Sequence, residues 1–253
     1  MIYDLQRAMI WKRISAWLFD AILLSILTVF LGFCLSGLLG YDSYTESLSG
    51  RYAAIQQEYG VNLDITQQEY EKMDPEQQQA FASASQAIAE DGAAKKAYGM
   101  ILNLSIVITS LSVLGSCLLL EFLVPVLLGN GQTLGKKIFS IGVMSVNGVR
   151  VRKVQMFIRT VLGKYTIEIM IPVLVGTLSF FGSLGIYGTM LILGLGIAQL
   201  VLLAATRTNS VIHDLLAGTV VIDLPSQMIF ETEEELLSYR KKLKAEMDSR
   251  QDY

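Results

Sequence analysis

The sequence has little cysteine, histidine or charge, and each scarcity closes off a class of protein. Its two cysteines, Cys34 and Cys117, both fall inside apolar runs. They make no disulfide framework and read as small buried hydrophobes. The single histidine, His213, excludes a multi-histidine zinc site, and no metal or cofactor is expected. Charged residues are 17% of the chain, 52% is hydrophobic, and the mean hydropathy is +0.47. Soluble domains carry about 25% charged residues, so this composition points to an integral membrane protein.

Acid is missing from one stretch altogether. Residues 129–165 hold Lys136, Lys137, Arg150, Arg152, Lys153, Arg159 and Lys164 without one Asp or Glu, although the formal net charge of the chain is −3. Lys and Arg beside membrane spans stay on the cytoplasmic side, so this loop is expected in the cytoplasm. The same rule accounts for the basic residues without nucleic acid, which is not an expected partner.

The first apolar run, Ile14 to Gly40, follows Arg7, Lys12 and Arg13 and is broken only by Asp20. It exceeds the roughly 7–15 apolar residues of a cleaved signal and predicts a first transmembrane helix within residues 1–40. Residues 41–98 then carry ten acidic residues against Arg51, Lys72, Lys95 and Lys96. Thr66 with Glu69 forms a capping box, and Asp74-Pro75 an N-cap with proline at the first helical position. This predicts two or three solvated extracytoplasmic helices, either a partner-binding insert or a spacer.

A second span is expected within residues 99–128, with Glu121 and Pro125. In residues 129–165, a Gly129–Gln132 turn precedes strand character from Ile138 to Val146 and an Asn147-Gly148 hairpin signal. From Arg152 the spacing of Val154, Phe157, Ile158, Val161, Leu162 and Tyr165 is helical. A basic amphipathic helix beside a span reads as lying on anionic lipid head groups. Two further spans, from Thr166 to Phe181 and from about Ile186 to Ala205, are expected within residues 166–206, joined by a turn at Gly182–Gly185. They carry Glu168 and Gln199. Residues 207–253 hold Arg207, a His213-Asp214 pair, a strand from Thr219 to Ile222 and a solvated helical tail.

Enzyme readings fail, and none is expected. The run from Gly129 to Lys137 has Asn130 where a phosphate loop needs its first glycine and Lys137 where it needs Ser or Thr. Asp214 reads as the N-cap of a short helix ending at Gly218, or as half of a pH-responsive relay with His213.

Three separated pieces resemble the RDD family of bacterial membrane proteins. Arg13-Ile-Ser-Ala16-Trp-Leu-Phe-Asp20 is similar to the opening R-x-x-A-x-x-x-D of that family. Thr133, Gly135 and Lys136, with Arg159 downstream, are similar to its T-x-G-K segment and following arginine. His213-Asp214-Leu-Leu-Ala-Gly218-Thr219 is similar to its closing H-D-x-x-x-G-T. The resemblance implies a multi-span fold in the bacterial plasma membrane, and some relatives are associated with cation/proton exchange.

The expected architecture is an all-α membrane fold: a four-transmembrane-helix bundle with both termini cytoplasmic. A small cytoplasmic layer, the 138–151 hairpin with the 219–222 strand, would cap it beside an interfacial amphipathic helix. Ionisable groups within a bilayer cost about 2.5–3.5 kcal/mol each, so they should face one another or a wet cavity. Asp20, Glu121 and Glu168 are expected to converge with Arg13, Arg207 and Asp214. Two readings stand side by side. In one, Arg13 reaches Asp20 or Glu121 and Arg207 reaches Glu168 or Asp214, as interhelical clamps. In the other, the carboxylates hold a proton or a monovalent cation. The rival to transport is a non-catalytic scaffold or accessory subunit that binds a protein partner through residues 41–98.

Overall fold

A computed structural model describes residues 5–180 and 184–251. The expected Gly182–Gly185 turn and the end of the third span at Phe181 lie partly outside the described residues. The chain divides into two compact units, Met1–Thr28 with Val113–Tyr253, and Val29–Ser112.

Among the described residues, three helices are long and apolar enough to cross a membrane: Ile10–Leu39 (α1), Gly92–Leu128 (α5) and Gly185–Ala205 (α8). Helix α1 has 30 residues, about 45 Å at 1.5 Å per residue, more than the roughly 30 Å hydrocarbon core. Only Ala16 and Asp20 are buried along it. Trp11, Trp17 and Phe33 are exposed, as expected of an apolar helix whose solvent is lipid. The fourth expected span is not among the three. Residues 166–180 are instead the second half of one continuous helix, α7 (153–180), whose first half was expected to be a separate surface helix.

In the unit Val29–Ser112, α2 (Tyr41–Tyr59) closes on Gly60 at φ 66°, a left-handed cap that suits glycine. The Thr66 and Asp74 capping boxes both form and start α3 (Gln67–Glu71) and α4 (Pro75–Glu90). Asp91 then accepts from the amides of Ala93 and Ala94 at 2.7 and 2.9 Å, opening α5. Ile55, Ala84, Ala94 and Ala97 are buried in this unit.

In the other unit, the basic loop folds differently from expectation. Thr133 caps a short helix, α6 (Leu134–Ile138), so Ile138 ends a helix rather than starting a strand. Strand β1 (Ile141–Ser145) pairs antiparallel with β2 (Thr219–Asp223), from Ile141 opposite Asp223 to Ser145 opposite Thr219. The Asn147-Gly148 turn does bring the chain back, with Ser145 N–H on the Val149 carbonyl at 3.0 Å, but the return is a single bridge from Met144 to Arg150. Burial decides between the two partners: Ile141, Val143, Met144, Val220, Val221 and Ile222 are all buried. On the far edge Arg7 bridges Ile222. Short helix α9 (Ile212–Ala217) leads into β2 through Gly218 at φ 60°, and α10 (Glu233–Gln251) closes the described chain.

Two stretches are wound more loosely than an α-helix. Cys117–Leu123 in α5 and Ile158–Met170 in α7 are π-helical, with i→i+5 bonds such as Val124 N–H to the Leu119 carbonyl. Such turns are rare and recur at functional positions. These two pack against each other.

Candidate functional site: a buried charge cluster

The first element of the site is Asp20, buried on α1. Its carboxylate accepts the Thr133 hydroxyl and, at 2.8 Å, the amide of Gly135. A negative charge set against the unpaired amides of a helix start is stabilised there. Gly135 is required because a Cβ would stand 2.9 Å from Asp20 Oδ1 and nearer still to the Ala16 carbonyl. The Thr-x-Gly-Lys run is therefore a latch that fastens the loop to α1. Its last member, Lys136, is buried and donates to Thr133 Oγ1 at 3.3 Å. Burial, and then the nearby Lys164 ammonium, bring Lys136 down from 10.5 to about 8, with Glu121 opposing.

The two π-helical stretches supply the second element. Lys164 on α7 meets Glu121 on α5 at 2.6 Å, and Thr160 donates to the Glu121 carbonyl at 2.9 Å.

Asp214 is the third element and the hub. It is fully buried and pairs with Arg159 at 2.5 Å and Arg13 at 3.4 Å. Burial disfavours its charged form, but Arg159, with Arg13 behind it, outweighs that and holds its carboxyl below the usual range. It is not the N-cap of α9; that position is Val211. Arg13 also donates to the Asn209 carbonyl at 2.5 Å. Arg159 further contacts the Thr219 hydroxyl at 3.3 Å and His213 Nε2 at 3.0 Å.

Because a guanidinium only donates, Nε2 must be the acceptor, so His213 carries its proton on Nδ1 and is neutral. That proton points at Glu168, whose oxygens lie 2.8 and 2.9 Å from Nδ1. Burial and then Arg159 lower the His213 pKa below its ordinary 6.5. Gly163 is what allows the approach, since a Cβ there would stand 2.7 Å from His213 Cα. Glu168 and Gln199 line a cavity of about 210 Å³ with Pro172, Ile192, Leu195 and Ile212.

The expected residues are thus placed as follows. Arg13, Asp214, His213, Arg159, Gly218 and Thr219 come together at one end of α7. Asp20, Thr133, Gly135 and Lys136 form the latch. Asp20, Glu121 and Glu168 do not share one partner; each has its own. Arg13 reaches neither Asp20 nor Glu121 but Asp214. Arg207 is exposed, makes no ion pair among the described residues, and contributes its carbonyl to Arg7 at 2.8 Å. The amphipathic segment is turned over: Val154, Phe157 and Leu162 are exposed while Arg159 is buried and Lys164 nearly so. Sequence reasoning passed over Lys164 and Gly163 as functional positions. The unmatched Glu121 in a span was the available signal for Lys164; Gly163 carried none.

Among the described residues no group of three or more His, Cys, Asp or Glu side chains is placed to hold a metal ion. A family model, that of the RDD family, matches residues 7–218. No curated protein and no solved structure matches the chain.

Proposed function

The chain belongs to the RDD family of membrane proteins, and on that premise we propose a transport-related role in the bacterial plasma membrane, exchanging protons for a monovalent cation at Glu168. The observation that carries this reading is the unequal engagement of the buried acids. Asp214 is held by two arginines and Glu121 by a lysine, while Asp20 is held by a hydroxyl and an amide within the latch. Glu168 alone meets a neutral imidazole, keeps 19% of its side chain exposed and lines a cavity with the amide of Gln199. A carboxylate that is bonded to a neutral imidazole and has an opening can trade a proton for a small cation; one clasped by arginine cannot do so cheaply.

In this arrangement residues 166–180 make a fourth crossing, which Glu168 enters already bonded to His213. The termini and the β1–β2 layer lie in the cytoplasm, as the basic residues around them favour. The test is a pH dye in everted vesicles. Addition of a monovalent cation should dequench the dye, and Glu168→Gln should abolish the response while the protein stays in the membrane. Wild-type vesicles silent to every monovalent cation would overturn the reading.

A second reading, a scaffold or accessory subunit, is favoured by one observation: Val29–Ser112 forms a compact unit of its own. Its buried Ile55 and Ala84 and its 2.6 Å Arg51–Asp91 ion pair hold it together, so that it could present a partner with a face of its own.

A further inference from the structure

A second cavity lies away from Glu168, where α5 ends and α7 begins. It measures about 490 Å³, within the usual range for a ligand site. Pro125 and Val126 from the last turn of α5 and Met156 from the first turns of α7 give it apolar walls. Arg150, Arg152 and Lys153 also line it, and no acid does. We propose that this cleft binds the phosphate head group of an anionic phospholipid.

Three features argue for it. Arg150 is fixed in place, with Nε donating to the Gly129 carbonyl at 2.8 Å and Nη1 paired to Glu231 at 2.6 Å. Gly129, at φ 85°, leaves the room for it, since a Cβ would stand 2.5 Å from Nη2. Arg152 and Lys153 are exposed and form no ion pair among the described residues, so their charge is free for an anion. A guanidinium fork matches phosphate oxygens in pairs. Finally, the surroundings choose the source of the phosphate. Leu127, Val154 and Phe157 beside the cleft are 74%, 66% and 46% exposed. A soluble phosphate would leave that apolar surface wet, whereas acyl chains attached to the head group would cover it.

Native mass spectrometry of the full chain, purified in detergent and given phosphatidylglycerol or phosphatidylcholine, reads this directly. The chain should retain phosphatidylglycerol in preference. The double variant Arg152→Gln/Lys153→Gln should weaken that retention about 25-fold, from about fivefold for each cation removed near an anionic head group. Lys137→Gln, which removes an exposed cation outside the cleft, should leave it unchanged. Equal retention of the two lipids, or an equal loss in Lys137→Gln, overturns the proposal. So does displacement of the lipid by inorganic phosphate at matching concentration, which would make the cleft a site for soluble phosphate.

Discussion

Arg159 donates to Nε2 of His213 at 3.0 Å, which leaves that ring nitrogen no room for a proton of its own. As the chain has one histidine, a ¹⁵N-histidine spectrum reports this ring alone. It should show the neutral Nδ1–H tautomer at pH values below the ordinary 6.5, because burial and Arg159 lower the folded pKa. The unfolded imidazole takes up a proton near 6.5 while the folded one resists it. His213 therefore contributes stability above that pH and loses it as the pH falls further. An imidazolium signal at pH 6.5 would contradict the contact.

Asp214 in α9 and Asp223 at the end of β2 should differ sharply in cost when neutralised. Asp214→Asn strands Arg159 and Arg13 in a buried site, and breaking a buried pair costs about 3–5 kcal/mol. Asp223→Asn removes an ion pair to Lys12 at 2.7 Å whose lysine is 38% exposed, worth about 0–1 kcal/mol. Thermal unfolding in detergent, with membrane levels measured alongside, separates them. Similar losses in both variants would mean that Asp214 is not the hub.

Lys136 gives a signature at alkaline pH. Its folded pKa of about 8 lies below the ordinary 10.5, so between those values the unfolded chain holds a proton that the folded chain has released. Stability from this group therefore rises with pH across that interval. Lys136→Met should flatten the rise seen in the wild type when unfolding is followed across it. Parallel pH profiles would show that Lys136 sits in a wetter place than its burial indicates.

What could be read in advance was whatever depends on near neighbours in the chain. The Thr66 and Asp74 caps need only a residue three positions on, and the long apolar runs of α1, α5 and α8 need only their own composition. Arg13 shows where this ends. Asp20, seven positions away on the same helix, was the local choice, but the partner is Asp214, 201 positions on. Lys164 shows the same limit in another form: a polar helix face looks identical in sequence whether it meets head groups or a buried acid. Ile138 was lost to a propensity for strand that the Thr133 cap overrode.

The loosely wound stretch Ile158–Met170 carries Arg159, Gly163, Lys164 and Glu168 within little more than two turns. Its i→i+5 spacing is what aims these residues at Asp214, His213 and Glu121 together. Tightening it to the ordinary i→i+4 spacing would rotate the later residues about the axis relative to the earlier ones, so Arg159 and Lys164 could no longer both keep their acids. The winding of this helix and the closure of the cluster are thus one degree of freedom, and a small twist at either end is felt at all three carboxylates.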